Sequence, residues 1–441
     1  MQHVLLISYN FPPQTSDSAY RAAGLVKHLS SFGWDVSVLT VKTNGSETDL
    51  APMNNEKEQL HSLTSDSEEQ YPAVPHLATY EVKPDRFSEK TGIMKNLIST
   101  CLIPDEKVLW IPGVLRKIKE ITGKQRFDLI YTIAPPYSIS WLGYQVHCQT
   151  GVPWIADVRE NWVGTKKHGI FSQFYKNMEK KMEETIIRNA RRVISCSEEW
   201  CQFFYEKYPF WGRDKFVCMP DGYDREEMGV VDTTDRADDK LRLVCLGRID
   251  KNTTHQYLLR AIKELLRKDP CLCNILRVEF VGDMDEEQQR LILEFPLENV
   301  CSYIKDTSGK EGIRRLLTAD AGIIIADKER NIPQAIYRCI AAMKPILGLS
   351  AKGAVESLIK RENLGWVAPF SSIPEIKSAL QGIIDCHKKG VLKPNYPLEL
   401  SLKYEKEAIT QRLTELFDRV VNESPEDNRL IIQKFGYRGN L

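Results

Sequence analysis

The stretch Asn331–Lys360, NIPQAIYRCIAAMKPILGLSAKGAVESLIK, decides the fold. It reads as a helix (IPQAIYRCIAAM), a short strand (KPILGL), a glycine-bearing turn (SAKG) and the start of a second helix. A helix that begins directly after a strand and a turn presents unpaired backbone N–H groups, the usual cradle for a phosphate or nucleotide. An apolar run of strand length, AGIIIA at Ala321–Ala326, precedes it. Strand and helix units in this succession suggest a nucleotide site in the C-terminal half, although a fold by itself does not establish an activity.

Outward from that stretch, apolar runs alternate with helical periodicity, the pattern of parallel sheets covered by helices. In the first half the expected strands are 3–9, 35–41, 128–133, 153–157, 192–196 and 215–219. A helix over 18–32 carries Ala22, Leu25, Val26 and Leu29 on one face. Residues 43–80 are polar (SETD, NNEKEQ, SDSEEQ) and are expected as a loop or mobile insertion. After Tyr223 the chain turns charged and weakly periodic (DREEMGVVDTTDRADDK), which sets a domain boundary there. Strands resume at 241–247, 277–282, 299–304 and 321–326, with helices near 255–268, from Glu286 and through Arg314. The expected organisation is a domain over 1–223, a second over 224–399, a helix over 400–421 packing back on the first, and a tail over 422–441. The fold class is therefore α/β, two Rossmann-like domains facing a central cleft, with ligands beyond the carboxyl ends of the strands.

A chain of 441 residues exceeds one ordinary core and fits about two domains. Sixty Lys and Arg balance sixty Asp and Glu, so no bulk charge points to nucleic acid. Eleven cysteines without a secretory leader suit reduced thiols in a cytosol, and Cys271 and Cys273 stand too close for a zinc knuckle pair. The start, MQHVLLISYNF, reads as a first strand and not as a signal. No uncharged apolar run reaches the roughly 18 residues of a spanning helix. The stretch 93–121 interleaves apolar residues with lysines, which suits either a helix resting on an anionic bilayer or ordinary packing.

Five places carry candidate chemistry. Ser16, Ser18 and Arg21 follow the first strand, where they could hold an anion at a helix N-terminus or simply cap it. Asp157, Arg159 and Glu160 are expected just past a strand end, where two carboxylates around an arginine bind sugar hydroxyls or form a surface ion pair. Asp221, Gly222, Tyr223 and Asp224 could do similar work, with Gly222 otherwise supplying a left-handed turn. Arg248 and Lys251, after the first strand of the second half, stand where a diphosphate would lie or are solvated loop cations. Asp283 and Asp285 are weak metal ligands, and no G-x-G-x-x-G or P-loop signature is present.

With these residues placed, the chain resembles the retaining GT-B glycosyltransferases that build bacterial polysaccharides and lipid-linked glycans. The resemblance runs from FPPQ through YRAAGLVKHLSSFGWDVSVLT, IAPPYSISWLG, PWIADVRENW, MPDGYD and LGRIDKN to IPQAIYRCIAAMKPIL. It implies a nucleotide-diphosphate sugar donor in the C-terminal half, a glycan or lipid-linked acceptor in the N-terminal half, and no required metal or other cofactor. Arg248 and Lys251 look like the family's diphosphate clamp and catalytic pair. Ser16, Ser18, Arg21, Asp157, Arg159 and Glu160 fall on the acceptor side, with Glu160 replacing the second Asp of an Asp-x-Arg-Asp-like segment.

By that resemblance the family also carries two glutamates with seven residues between them, the second gripping the ribose. Here Arg330 and Arg338 hold those positions, Met343 holds the glycine of the following Ala-x-Gly-x-Pro turn, and Ser140 stands where relatives often have His. A guanidinium only donates hydrogen bonds. Either neighbouring Glu329 substitutes, or the donor differs, or donor binding is lost. The expectation is a cytoplasmic enzyme, soluble or peripheral at the inner face of the membrane. The alternatives are a catalytically silent binding relative and a nucleotide-sugar epimerase.

Overall fold

The computed structural model describes residues 1–12, 14, 16–42, 78–83, 102–164, 172–229, 239–247, 255–294, 297, 299–306 and 309–423. The chain divides into two compact units, one running to Met219 and resuming at Thr410, the other spanning Pro220–Ile409. The second division falls inside the helix Lys406–Asn422.

The first unit is built on a parallel sheet of β1 (Gln2–Ser8), β2 (Trp34–Val41), β3 (Ala78–Val82), β4 (Leu129–Ala134), β5 (Trp154–Val158), β6 (Arg192–Ser195) and β7 (Phe216–Cys218). Their order is β3-β2-β1-β4-β5-β6-β7. Val4, Leu6, Tyr131 and Ile133 face Leu25 and Leu29 of the helix Asp17–Leu29 together with Leu413, Leu416, Phe417 and Val420. Leu5, Ile7, Ile130 and Ala156 face the other way, against Val114 and Ile118 of the helix Ile111–Thr122 and Ile139 and Leu142 of the helix Ser138–Thr150. Burial on both faces is why these strands read as continuous apolar runs rather than alternating ones.

Three expectations change here. The polar stretch 43–80 reaches into β3, an edge strand whose exposure alternates and whose Glu81 sits on the open side, so no apolar run announced it. The helix expected over 400–421 is two helices, Leu398–Lys403 and Lys406–Asn422. It breaks because Tyr404 O and Lys406 N turn sideways to bond the backbone of Tyr223, at 3.0 and 2.9 Å. Within the basic, apolar stretch 93–121, Ile111, Val114, Ile118 and Ile121 are all buried, so the core takes the apolar side of that helix. Residues 93–101 lie outside the described residues. No described helix is long and apolar enough to cross a membrane.

The second unit repeats the design with β8 (Leu241–Leu246), β9 (Leu276–Gly282), β10 (Cys301–Lys305), β11 (Ala321–Ala326), β12 (Ile346–Ser350) and β13 (Gly365–Ala368), ordered β10-β9-β8-β11-β12-β13. One face packs Leu243, Phe280 and Ile323 against the helices Gln256–Lys268 and Ile373–Lys388. The other packs Ile324 and Ile346 against the helices Gln334–Ala341 and Ala354–Arg361. In both sheets the strand order reverses beside the first strand, at β1/β4 and at β8/β11, the place where such sheets open a crevice for ligands.

Candidate functional site

In the first unit, Ser16 caps the helix Asp17–Leu29 by accepting from Ala19 N at 3.1 Å, and its hydroxyl lies 3.1 Å from that of Ser18. Ser18 in turn accepts from the Asn10 amide at 3.3 Å, which ties the loop after β1 to the helix start. Arg21, one turn further, points into the sheet. Its Nε donates to Asp157 Oδ2 at 2.5 Å, and the Tyr131 hydroxyl donates to the same oxygen at 2.6 Å. Asp157 is wholly buried and its Oδ1 has no hydrogen-bond partner. Burial, then the Asp157 charge, push the Tyr131 phenol well above its ordinary pKa, so it stays a donor.

Asp157 was expected past the end of its strand. It instead lies within β5, opposite Ile133 and Ile194, because the strand runs one residue further to Val158. Arg159 and Glu160 follow the strand and are half-buried. Glu160 hydrogen-bonds the Tyr137 hydroxyl, and Tyr137 stacks on Trp162 with ring centroids 5.6 Å apart. The structure thus joins Arg21 to Asp157 and Ser16 to Ser18. Tyr131, Tyr137 and Asn10 were not singled out in the sequence: Asn10 and Tyr137 follow strand ends, while Tyr131 lies inside the apolar run of β4. Ser140, on the helix Ser138–Thr150, is buried with its hydroxyl unpartnered.

In the second unit the loop after β11 carries Glu329, whose side chain is 65% exposed and lies 3.7 Å from Arg330. Its main chain closes the site: Ala354 N donates to Glu329 O at 2.6 Å. Gly353 has φ +154°, and a Cβ there would fall on the Glu329 carbonyl. The first turn of the helix Ala354–Arg361 is thereby drawn against the β11 loop.

Arg338, on the helix Gln334–Ala341, points elsewhere. It contacts Glu227 at 3.5 Å, and Glu227 also faces buried Lys406 at 3.9 Å. Burial first, opposed by Glu227 and Asp224, holds the Lys406 ammonium down at about 8. Gln334 donates to Gly222 O at 2.6 Å, and Gly222 takes the left-handed φ of +67°. Asp224 caps a short helix, Arg225–Met228, where a linker was expected. Met343 adopts φ +52° and closes the helix with Met343 N on Ile340 O and Lys344 N on Cys339 O. That is the left-handed C-terminal turn glycine usually supplies.

Arg248 and Lys251 lie outside the described residues. Asp285 caps its helix by accepting from Gln288 N at 2.8 Å. Among the described residues no three His, Cys, Asp or Glu side chains gather as metal ligands.

Residues 18–222 match the family model for a Glycosyl transferase 4-like domain. No curated protein matches the sequence. Among solved structures, sucrose-phosphate synthase from Thermosynechococcus elongatus is similar at TM-score 0.67 and 16% identity, over 96% of this chain and 100% of that one. Anabaena HepE, solved with UDP and glucose, is similar at TM-score 0.60 and 12% identity, over 95% of this chain and 100% of its own. A UDP-N-acetylglucosamine 2-epimerase is similar at TM-score 0.50 and 10% identity, over 94% and 95%. At such identities the likeness is one of fold, and the fold of two parallel-sheet Rossmann-like units is GT-B.

Proposed function

We propose that this chain is a glycosyltransferase that moves a sugar, with retention of configuration, from a nucleotide-diphosphate sugar to a glycan or lipid-linked acceptor in polysaccharide biosynthesis. The observation that carries the reading is the glycosyl transferase 4-like match over 18–222, followed in the same chain by a second sheet of nucleotide-binding strand order. HepE with its UDP and glucose supports a donor of this class.

On this reading the second unit holds the donor. The N-terminus of the helix Ala354–Arg361 faces the phosphates. Glu329, exposed beside it, accepts from the ribose hydroxyls, because Arg338 is engaged with Glu227 and Arg330 can only donate. Arg248 and Lys251 neutralise the diphosphate as the bond from anomeric carbon to phosphate oxygen breaks. No metal is needed for that step. In the first unit, buried Arg21 and Asp157 position the loops, while Ser16, Ser18, Arg159 and Glu160 line the side an acceptor hydroxyl approaches. The enzyme works in the cytoplasm or at the inner face of the membrane.

The test is a panel of nucleotide sugars, assayed for released nucleoside diphosphate with and without glycan acceptors. Replacing Arg248 and Lys251 together by Ala cuts turnover well over tenfold, judged against about 2.7–4 kcal/mol for one lost oxyanion donor. Unchanged turnover sinks the assigned roles. The Arg338–Glu227 pair favours a second reading, a silent relative that binds a glycan and yields no product. Conversion of a nucleotide sugar without any acceptor would identify an epimerase instead.

A further inference from the structure

The helix Ser172–Asn189 is inverted relative to an ordinary surface helix. Its inward face carries Glu179 and Glu183, each 1% exposed, beside Ile186 and Ile187. Its outward face begins with Phe174 at 61% and Met178 at 40% exposure, one helical turn apart. The inner carboxylates are held: Gly164 N donates to Glu179 at 2.7 Å, and Glu183 takes the Tyr208 hydroxyl at 2.5 Å and the Lys207 ammonium. With those acids turned inward, the exposed charges of the helix are basic: Lys176, Lys180, Lys181 and Arg188. Phe174, Met178, Lys181 and Arg188 recur at i, i+4, i+7 and i+14 and so share the stripe that points away from the core.

We infer that this stripe docks the protein on an anionic bilayer surface, with Phe174 and Met178 entering the headgroup layer and the basic residues meeting lipid phosphates. Two apolar side chains are far less than the roughly 800 Å² per partner of a stable protein interface. They do suit shallow insertion, in which apolar contact and attraction to acidic lipid act together. Charge complementarity is what selects acidic lipid: with Glu179 and Glu183 buried, four basic residues outnumber the one remaining acid, half-buried Glu184. The helix Ile111–Thr122, the other basic and apolar candidate, has its apolar side in the core and does not compete. The inference rests on the peripheral placement proposed above and not on sugar transfer.

The experiment is flotation of the full chain with vesicles of equal parts phosphatidylglycerol and phosphatidylcholine, against phosphatidylcholine alone, at low and high salt. No donor or acceptor is present, so its outcome is separate from that of the transfer assay. The protein should float with the acidic vesicles only and lose binding as salt rises. Lys181→Glu with Arg188→Glu should weaken binding at least about 25-fold, from about fivefold per lost basic residue. Phe174→Ser with Met178→Ser should abolish insertion while leaving the melting temperature unchanged, since both side chains are exposed. Failure to float, equal binding to neutral vesicles, or full binding by both variants overturns the proposal. So does self-association that the serine variant abolishes without any vesicle binding, which would assign the face to a protein partner.

Discussion

In the first unit an ion pair sits inside the layered body itself: Arg21 reaches from its helix to Asp157 on β5, with Tyr131 of β4 on the same oxygen. In the second, β11 and β12 carry no charged residue, buried Glu279 of the more distant β9 pairs with Arg315 at 3.1 Å, and half-buried Glu227 and Arg338 gather with buried Lys406 off the sheet, where Asp221–Met228 and Tyr404–Lys406 meet the helix Gln334–Ala341. One strand order therefore supports two ways of fixing the loops beyond its strands. The first unit fixes its loops through a charge within the sheet. The second fixes the loop after β11 through backbone closure at Gly353, and its Arg338–Glu227 pair lies at the chain return.

That contrast can be broken at its strongest point. Asp157→Ala leaves the Arg21 guanidinium buried and should cost about 3–5 kcal/mol in urea unfolding. Arg21→Met with Asp157→Leu should recover most of it, because an apolar pair of similar volume carries no desolvation cost. A single-variant loss below about 1 kcal/mol would mean that solvent reaches the pair.

The second unit's counterpart is Gly353→Val, which drives a side chain into the Glu329 carbonyl at a strained φ and should cost roughly 3 kcal/mol. Thermal melting checks it; an unchanged melt would show that the loop yields freely.

Lys406 sharpens the comparison through pH. Its folded value near 8 lies below the ordinary 10.5, so the unfolded chain binds more protons between those values and stability rises with pH across that window. Lys406→Met should flatten this rise and, at pH 7, raise stability by about 1–2 kcal/mol. A variant that follows the parent's pH profile would place the titration elsewhere. The smallest effect belongs to Ser16→Ala, about 1 kcal/mol for a lost helix cap, read by the same unfolding measurement.

The central strands were legible because burial on both faces writes an uninterrupted apolar run; AGIIIA is β11 with no residue added or lost. The edge strand β3 was not, since a half-exposed strand containing Glu81 looks like its polar surroundings. Arg21 and Asp157 were each marked as candidates, but their pairing across 136 positions is a product of sheet order, which composition cannot encode. The same holds for Arg338 and Glu227, separated by 111 positions. Glu329 was singled out for its carboxylate, whereas the contact the fold makes there uses its carbonyl. Met343 kept the left-handed turn of a glycine without being one, a conformation that residue type alone argues against.

Leu413, Leu416, Phe417 and Val420 complete a layer whose other members begin at Val4 and Leu6. During synthesis, the part of that sheet face not covered by the helix Asp17–Leu29 must wait until nearly the whole of the intervening chain has left the ribosome. The described residues of the second unit form one run of the chain, Pro220–Ile409, and can close first. A fragment ending at Met219 would leave the Phe417 side of that layer uncovered and should be recovered chiefly with chaperones or in aggregates.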